Sequence, residues 1–563
     1  MTTRPTAAEE ASRLAETVSP DVRGGWALRA VTVARRGPDL RSHLSIAALL
    51  VLILGVCIRT GIVPTRSYVS DVTSFADNAW RLLWGQRPHV DYSSGLGPAT
   101  YLPWALGIKL AGGNLNGLGY GIGGAGFMIG IWAYALLVRR VSGWLAVAGA
   151  AMLCLLAVAP VQLGESFRLS AIAMNYNREG YALLGLLIIE SFPLRQGEPG
   201  RGWGGACSTG ALCAILLFLK ANYFLVGLVM AAVSLVWSGR LERRRVAGLA
   251  AGFGVVALAF LAYLRFDVGA MLADLRMAAD ARSGALSPAF VVQAFAENIP
   301  GLLILGGLAA TAQMAVRPAG RGCPAAVLRF RPLLLAAMVY VAGVLLLVTN
   351  CQLDRLPLHE LLALLFLDCI LQCAWLDVRY AAVLSMMGIG LILGAQSADG
   401  LALANGLRLK LHPPVAFAYP VTEGGFAGAI FIDDYLDTKG THRAFGSFLA
   451  LYLKDGTDLL RRELKPGEKV TTMDMFNPFP FALGIEPPRG GMQSATYRYF
   501  FSDRIHPSAD AFFGNADVVM YPKEHEVPDA GWQGLAIYYI PEMERRFVQV
   551  AESAQWRMYR RRK

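Results

Sequence analysis

The chain has 563 residues, 55% hydrophobic and only 17% charged, with a mean hydropathy of +0.43. A soluble core needs far fewer apolar residues, so the composition excludes an ordinary water-soluble protein in favour of an integral membrane one. The net charge of +11 does not imply nucleic acid, because the arginines stand in short clusters between apolar runs and there mark a cytoplasmic membrane face.

In chain order, residues 1–42 mix acids and arginines with little apolar periodicity and read as a disordered cytoplasmic arm. The apolar run at 44–63 is long enough to span, and the charged region before it is too long for a signal peptide. A polar segment follows, "SYVSDVTSFADNAWRLLWGQRPHVDYSSGLGP" (67–98), dense in acids and aromatics. Further runs at 117–138, 142–160, 179–194, 245–265, 298–316, 332–349, 357–376 and 379–399 approach the ~20 residues a bilayer requires. Residues 101–113 are too short to cross and are expected to lie on the outer surface, which keeps Arg139 and Arg140 inside. Residues 206–239 are too long for one crossing and carry Lys220 near the centre, so two short helices meeting at Lys220-Ala221-Asn222 are predicted, with the turn outside. Arg317, Arg321, Arg329, Arg331 and Arg379 then fall inside, and about eleven spans leave the C-terminus outside. No inverted repeat is evident. Cys57, Cys154, Cys207, Cys213, Cys369 and Cys373 lie within apolar runs, which argues against a disulfide framework or a cysteine-ligated metal.

This orientation gathers four polar segments on the outer face: residues 67–98, "RLSAIAMNYNREGY" (168–181), "RFDVGAMLADLRMAADARSG" (265–284) and "TNCQLDRLPLHE" (349–360). The first predicts a helix over Val72 to Trp84, for which Asp71 could serve as N-cap. Asp77 is expected in solvent, and Asp91 reads equally as a turn residue. Beyond 400, an amphipathic helix at "GSFLALYLKDGTDLLRRELKPGEKV", strands at "VTTMDMF" and "ADVVMYP", and "IPEMERRFVQVAESAQWRMYRR" as a helix closing on one final strand predict a soluble α/β domain. The fold class is therefore mainly α, a polytopic membrane protein with a C-terminal soluble α/β domain on the outer face. Its parts are the arm at 1–42, a transmembrane catalytic domain at 43–400 with an outer loop at 64–116, and the outer domain at 401–563.

An acid soon after the first span, a helix like "ADNAWRLLWGQ" and a stretch like "PHVDYSSGLGPATYLPWALGIKLAGG" together resemble the GT-C class of membrane glycosyltransferases. That class includes the protein O-mannosyltransferases and the bacterial aminoarabinose and galacturonic acid transferases. The resemblance covers about residues 44–400. It implies sugar transfer from a polyprenyl-phosphate-linked donor to a glycan or lipid acceptor at the periplasmic face of a bacterial inner membrane. Asp71 takes the place of the class's catalytic carboxylate. Many class members pair two acids there, whereas Asp71 stands between Ser70 and Val72, which leaves Asp91 open as a second carboxylate and a divalent metal open as a cofactor. A carboxylate base suits abstraction of the acceptor's hydroxyl proton, and cations should meet the charge of the departing lipid phosphate. Lys220, Arg178 and Arg282 are the candidates for that, with Asn175, Tyr176, Asn177, His359 and Glu360 as candidate substrate contacts. Each has a structural alternative: Lys220 as a snorkelling helix end, Arg178 as a partner of Glu179, Arg282 as a solvated loop residue. A lipid-linked saccharide transporter or flippase, a polysaccharide polymerase or ligase, and a non-catalytic assembly subunit are the competing readings.

Overall fold

A computed structural model describes residues 38–192, 194, 202–237, 242–282, 287–315, 331–350, 355–371, 378–433, 445–524 and 529–563. The arm up to residue 37 and the loop bearing Arg317, Arg321 and Arg329 lie outside the described residues.

Helix α1 (Leu40–Thr60) is opened by Asp39, whose carboxylate accepts the Ser42 N–H at 2.9 Å. Its 21 residues rise about 31 Å, the thickness of a hydrocarbon core. The outer loop then holds α2 (Val69–Leu83) and α3 (Leu102–Leu110). Nine residues give α3 only about 13 Å, too short to cross. Next come α4 (Leu118–Leu137), α5 (Gly143–Val158), α6 (Asn175–Ser191), α7 (Gly202–Leu219), α8 (Ala221–Trp237) and α9 (Arg243–Tyr263). They are followed by α10 (Val268–Arg282), α11 (Pro288–Glu297), α12 (Ile299–Ala315), α13 (Arg331–Thr349), α14 (Pro357–Leu371) and α15 (Val378–Leu411). Among the described residues, five helices are long and apolar enough to span: α1, α4 with the turn before it, α9, α13 and α15. The pair α11 and α12 makes a sixth if its 52° bend lies within one span. Shorter apolar helices include α5, α7 and α8, and a count of eleven requires such helices to cross as well. The chain is a multi-pass membrane protein. The break between α7 and α8 falls at Lys220, where the sequence places it.

Close approaches at glycine set the geometry of the outer end. The Gly97 N–H donates to the Leu219 carbonyl at 3.2 Å, and a Cβ at Gly97 would come 2.0 Å from the Phe218 carbonyl oxygen. Backbone cannot yield that far without moving the α7–α8 break. Gly97→Ala is therefore expected to lower the detergent melting temperature by several degrees, a cost on the order of 1–3 kcal/mol. An unshifted melt would show that the loop relaxes away from α7.

After α15 the chain forms a small antiparallel pair, β1 (Ala418–Pro420) and β2 (Ile430–Ile432), then amphipathic α16 (Phe445–Glu463). A four-stranded sheet follows, built from β3 (Val470–Thr472), β4 (Val518–Pro522), β5 (Phe547–Glu552) and β6 (Trp556–Arg561). Its order is β3-β4-β6-β5, with β3 parallel to β4 and the other pairs antiparallel. Short helices α17 (Phe479–Leu483), α18 (Ala509–Phe513), α19 (Asp529–Tyr538) and α20 (Ile540–Arg546) pack around it. In "IPEMERRFVQVAESAQWRMYRR", where a helix and one strand are expected, the helix stops at Arg546 and two strands follow, β5 with the β-branched Val548 and Val550 that suit an edge strand, then β6.

Two further expectations are corrected. Helix α2 begins at Val69, three residues early, because Tyr68 turns the chain in a left-handed conformation at φ 53°. Asp71 consequently lies in the first turn and does not cap the helix. Asp77 is not in solvent: it is 2% exposed and pairs with Arg81 at 3.0 Å, the i, i+4 spacing that brings two side chains together on a helix.

Candidate active site

One face of α2 is fixed by the C-terminal part of the chain. Ser74 Oγ and Asn78 Nδ2 donate to the Gln493 carbonyl at 3.1 and 3.2 Å, and Trp80 Nε1 to the Ile485 carbonyl at 2.8 Å. Arg81 Nη1 donates to the carbonyls of Pro488 and Gly490 at 2.9 and 3.1 Å. The helix that carries Asp71 is thus held rigidly.

Asp71 itself is partly buried, and its carboxyl has no hydrogen bond or ion pair among the described residues. Burial pushes it up to about 7 from its ordinary 3.8. A carboxyl poised near neutrality is what a general base at physiological pH needs. The left-handed Tyr68 before α2 stores backbone strain beside it, as often occurs at working sites.

One turn beyond Asp71, Phe75 packs on Tyr176, Tyr101 and Trp104, with ring centroids 5.6, 5.9 and 5.3 Å away. Tyr176 in turn faces the Lys220 ammonium at 4.9 Å from its ring centre, a favourable cation–π arrangement. Lys220 Nζ donates to Asn177 Oδ1 at 3.2 Å and Asn350 Oδ1 at 2.6 Å. Asn222 Nδ2 donates to Asn350 Oδ1 at 2.9 Å, Asn350 Nδ2 to Tyr223 Oη at 2.9 Å, and Tyr223 Oη to the Asn177 carbonyl at 3.1 Å. Arg282 Nη1 reaches the Thr349 carbonyl at 2.9 Å, one residue from Asn350. The starts of α6 and α8 and the ends of α10 and α13 therefore meet at one point, with Tyr176, Asn177, Lys220 and Arg282 together. Asn350 and Asn222 lie there too; the sequence reading places both on the outer face, in "TNCQLDRLPLHE" and in the Lys220 turn, but gives neither a role in the site.

The other predicted residues go elsewhere. Asn175 Nδ2 donates to Glu179 Oε1 at 2.9 Å. Asp91 accepts the Arg87 N–H at 2.9 Å and lies 3.8 Å from Arg489, an arrangement that shapes its own loop. Arg178 pairs with Asp399 at 3.0 Å, not with Glu179, and also donates to the carbonyls of Val161 and Leu156. Asp399 also takes Arg355 at 2.8 Å, and Arg355 takes Glu360 at 3.0 Å. His359 is buried against Tyr340, ring centroids 5.7 Å apart, with Nε2 unpartnered among the described residues. The network of Arg178, Asp399, Arg355 and Glu360 balances two positive charges with two negative ones and ties α6, α14 and α15 together. Arg355→Ala leaves two buried acids facing Arg178 alone and is expected to cost about 3–5 kcal/mol, read as a fall in the detergent melting temperature. An unchanged melt would show that the network is incidental.

Among the described residues no three His, Cys, Asp or Glu side chains gather as a metal's ligands would.

No protein-family model matches the chain, and no curated protein matches it in sequence. Among solved structures it is similar to ArnT from Cupriavidus metallidurans, in the apo state and bound to undecaprenyl phosphate, at 13% and 12% identity. Each match has TM-score 0.42 and covers 91% of this chain and 97% of the other. It is also similar to the arabinofuranosyltransferase AftD from Mycobacteria, at 13% identity and TM-score 0.42, over 94% of this chain and 40% of that one. The archaeal oligosaccharyltransferase AglB from Archaeoglobus fulgidus matches at 11% identity and TM-score 0.30, over 91% of this chain and 73% of its own.

Proposed function

We propose that the chain is a glycosyltransferase that moves a sugar from a polyprenyl-phosphate donor to an acceptor hydroxyl at the outer, periplasmic face. About eleven of its helices cross an inner membrane, with the N-terminus cytoplasmic and the domain at 401–563 outside. The observation that carries this reading is the unpartnered Asp71 carboxyl, raised to about 7, on the helix whose Phe75 touches the ring covering Lys220.

In the mechanism this geometry supports, Asp71 takes the acceptor's hydroxyl proton as the oxygen attacks the anomeric carbon. The bond from that carbon to the phosphate oxygen breaks, and its electron pair leaves with the lipid phosphate. One displacement inverts the anomeric centre. Lys220 and Arg282 meet the growing phosphate charge; Asn177 and Asn350 accept from the ammonium through their amide oxygens, and Asn222 donates to Asn350. Arg178 and Glu360 act at one remove, through the ion network that fixes the ends of α6 and α14.

Purified protein in liposomes, offered a panel of polyprenyl-phosphate sugars, is expected to transfer one of them with inversion. Movement of intact lipid-linked saccharide across the bilayer, with no transfer from any donor, would establish the transporter reading instead.

A further inference from the structure

Helix α9 is long and apolar enough to span, and few of its residues are buried. It ends at Tyr263, so the residues just after it stand at the bilayer surface. There the chain turns through two left-handed residues, Arg265 at φ 56° and Phe266 at φ 59°, and starts α10 at Val268. Left-handed residues at a helix end are usually glycine or asparagine, and a side chain as bulky as phenylalanine is strained there. The turn leaves the Phe266 ring 60% exposed beside the end of the span.

Helix α10 is apolar on two sides. Met271, Met277 and Ala281 are buried against the protein, beside the Asp274 carboxylate that accepts the Ser94 N–H at 2.8 Å and meets His89 Nδ1 at 2.9 Å. The other side presents Val268, Leu272 and Ala279, all exposed and sharing one stripe at helical spacing, with Leu272 57% exposed. A helix that is apolar all round belongs in apolar surroundings, and the described protein residues supply them on one side only. Arg265 and Arg276 flank the stripe; both are exposed, and neither guanidinium has a hydrogen bond or ion pair among the described residues. An apolar stripe edged by free arginines suits a helix lying in a membrane interface, and this stripe continues from the end of a span. We propose that α10 lies on the bilayer, with Phe266, Val268 and Leu272 among the acyl chains and Arg265 and Arg276 on the phosphates of anionic phospholipids. The membrane then supports one side of a helix whose other side holds the loop of His89 and Ser94.

Full-length protein with the photocrosslinker p-benzoylphenylalanine in place of Leu272, in liposomes of equal phosphatidylglycerol and phosphatidylcholine, tests this directly. Irradiation is expected to join residue 272 to lipid, with phosphatidylglycerol adducts on the order of tenfold in excess, because each arginine near the surface favours anionic headgroups. Adding Arg265→Gln and Arg276→Gln together is expected to keep the lipid adducts and erase the excess. Position 279, on the same stripe, takes the crosslinker if the chain substituted at 272 does not fold. A residue joined to no lipid, or to a second copy of the chain, overturns the proposal. So does an excess that is absent with both arginines present or that survives their replacement.

Discussion

Asp71→Asn is expected to lower sugar transfer by about 10²–10⁴-fold while leaving donor binding intact, the range for loss of a positioned general base. Two further signatures separate this from structural damage. Wild-type transfer should rise with pH through about 7, because only the carboxylate accepts a proton and burial holds the carboxyl near that value. Stability should move the other way. The folded-state value lies above the unfolded one, so the contribution of this group is full below about pH 4 and lost as pH rises through 7. Asn carries no such loss. The variant should therefore melt higher than wild type at pH 8, by about 2 kcal/mol once partial exposure is allowed for, and equally at pH 4. A variant that transfers sugar at the wild-type rate, with the same pH profile, would falsify the assignment of the base.

Lys220→Met is expected to cost about 10²–10³-fold in the rate of transfer, the worth of one preorganised group facing charge that develops in the transition state. Met preserves length and apolar bulk, so the packing against Tyr176 survives while the charge goes. The chain break between α7 and α8 exposes the residue at a helix junction, and Asn177 and Asn350 aim its ammonium. Arg at this position is expected to restore only part of the rate, since a planar fork cannot meet two amide oxygens placed for a compact ammonium. If Lys220→Met retains full turnover and loses only donor affinity, the residue binds the phosphate equally in ground and transition states, and another cation carries the leaving-group charge.

The membrane helices were legible because they rest on composition and length, and the break at Lys220 because charge has a preferred side. Asp71 stood out in the sequence only through the resemblance to the GT-C class. Its environment did not show there, since partial burial without a partner is a property of the packed fold. The Asp77–Arg81 pair was within reach of the sequence: four residues apart on a predicted helix, they spell an ion pair. Arg355 and Asp399 lie 44 positions apart and join only when α14 meets α15. The carbonyls of Ile485, Pro488 and Gln493 that hold α2 leave no trace in a side-chain pattern, because any residue supplies a carbonyl. The final hairpin was missed where a charged helix runs straight into a strand without a glycine or proline to separate them.

The clamp on α2 also has a consequence for biosynthesis. Trp80 and its acceptor Ile485 are 405 residues apart, and at about 5–20 residues per second a ribosome takes roughly 20–80 s to make the intervening chain. For that interval the nascent protein already has its first helices in the bilayer, but the acid-bearing helix lacks its clamp. Competence would then arrive only with the last third of the chain, so an incompletely translated copy would sit in the membrane without acting on the lipid-linked sugars around it.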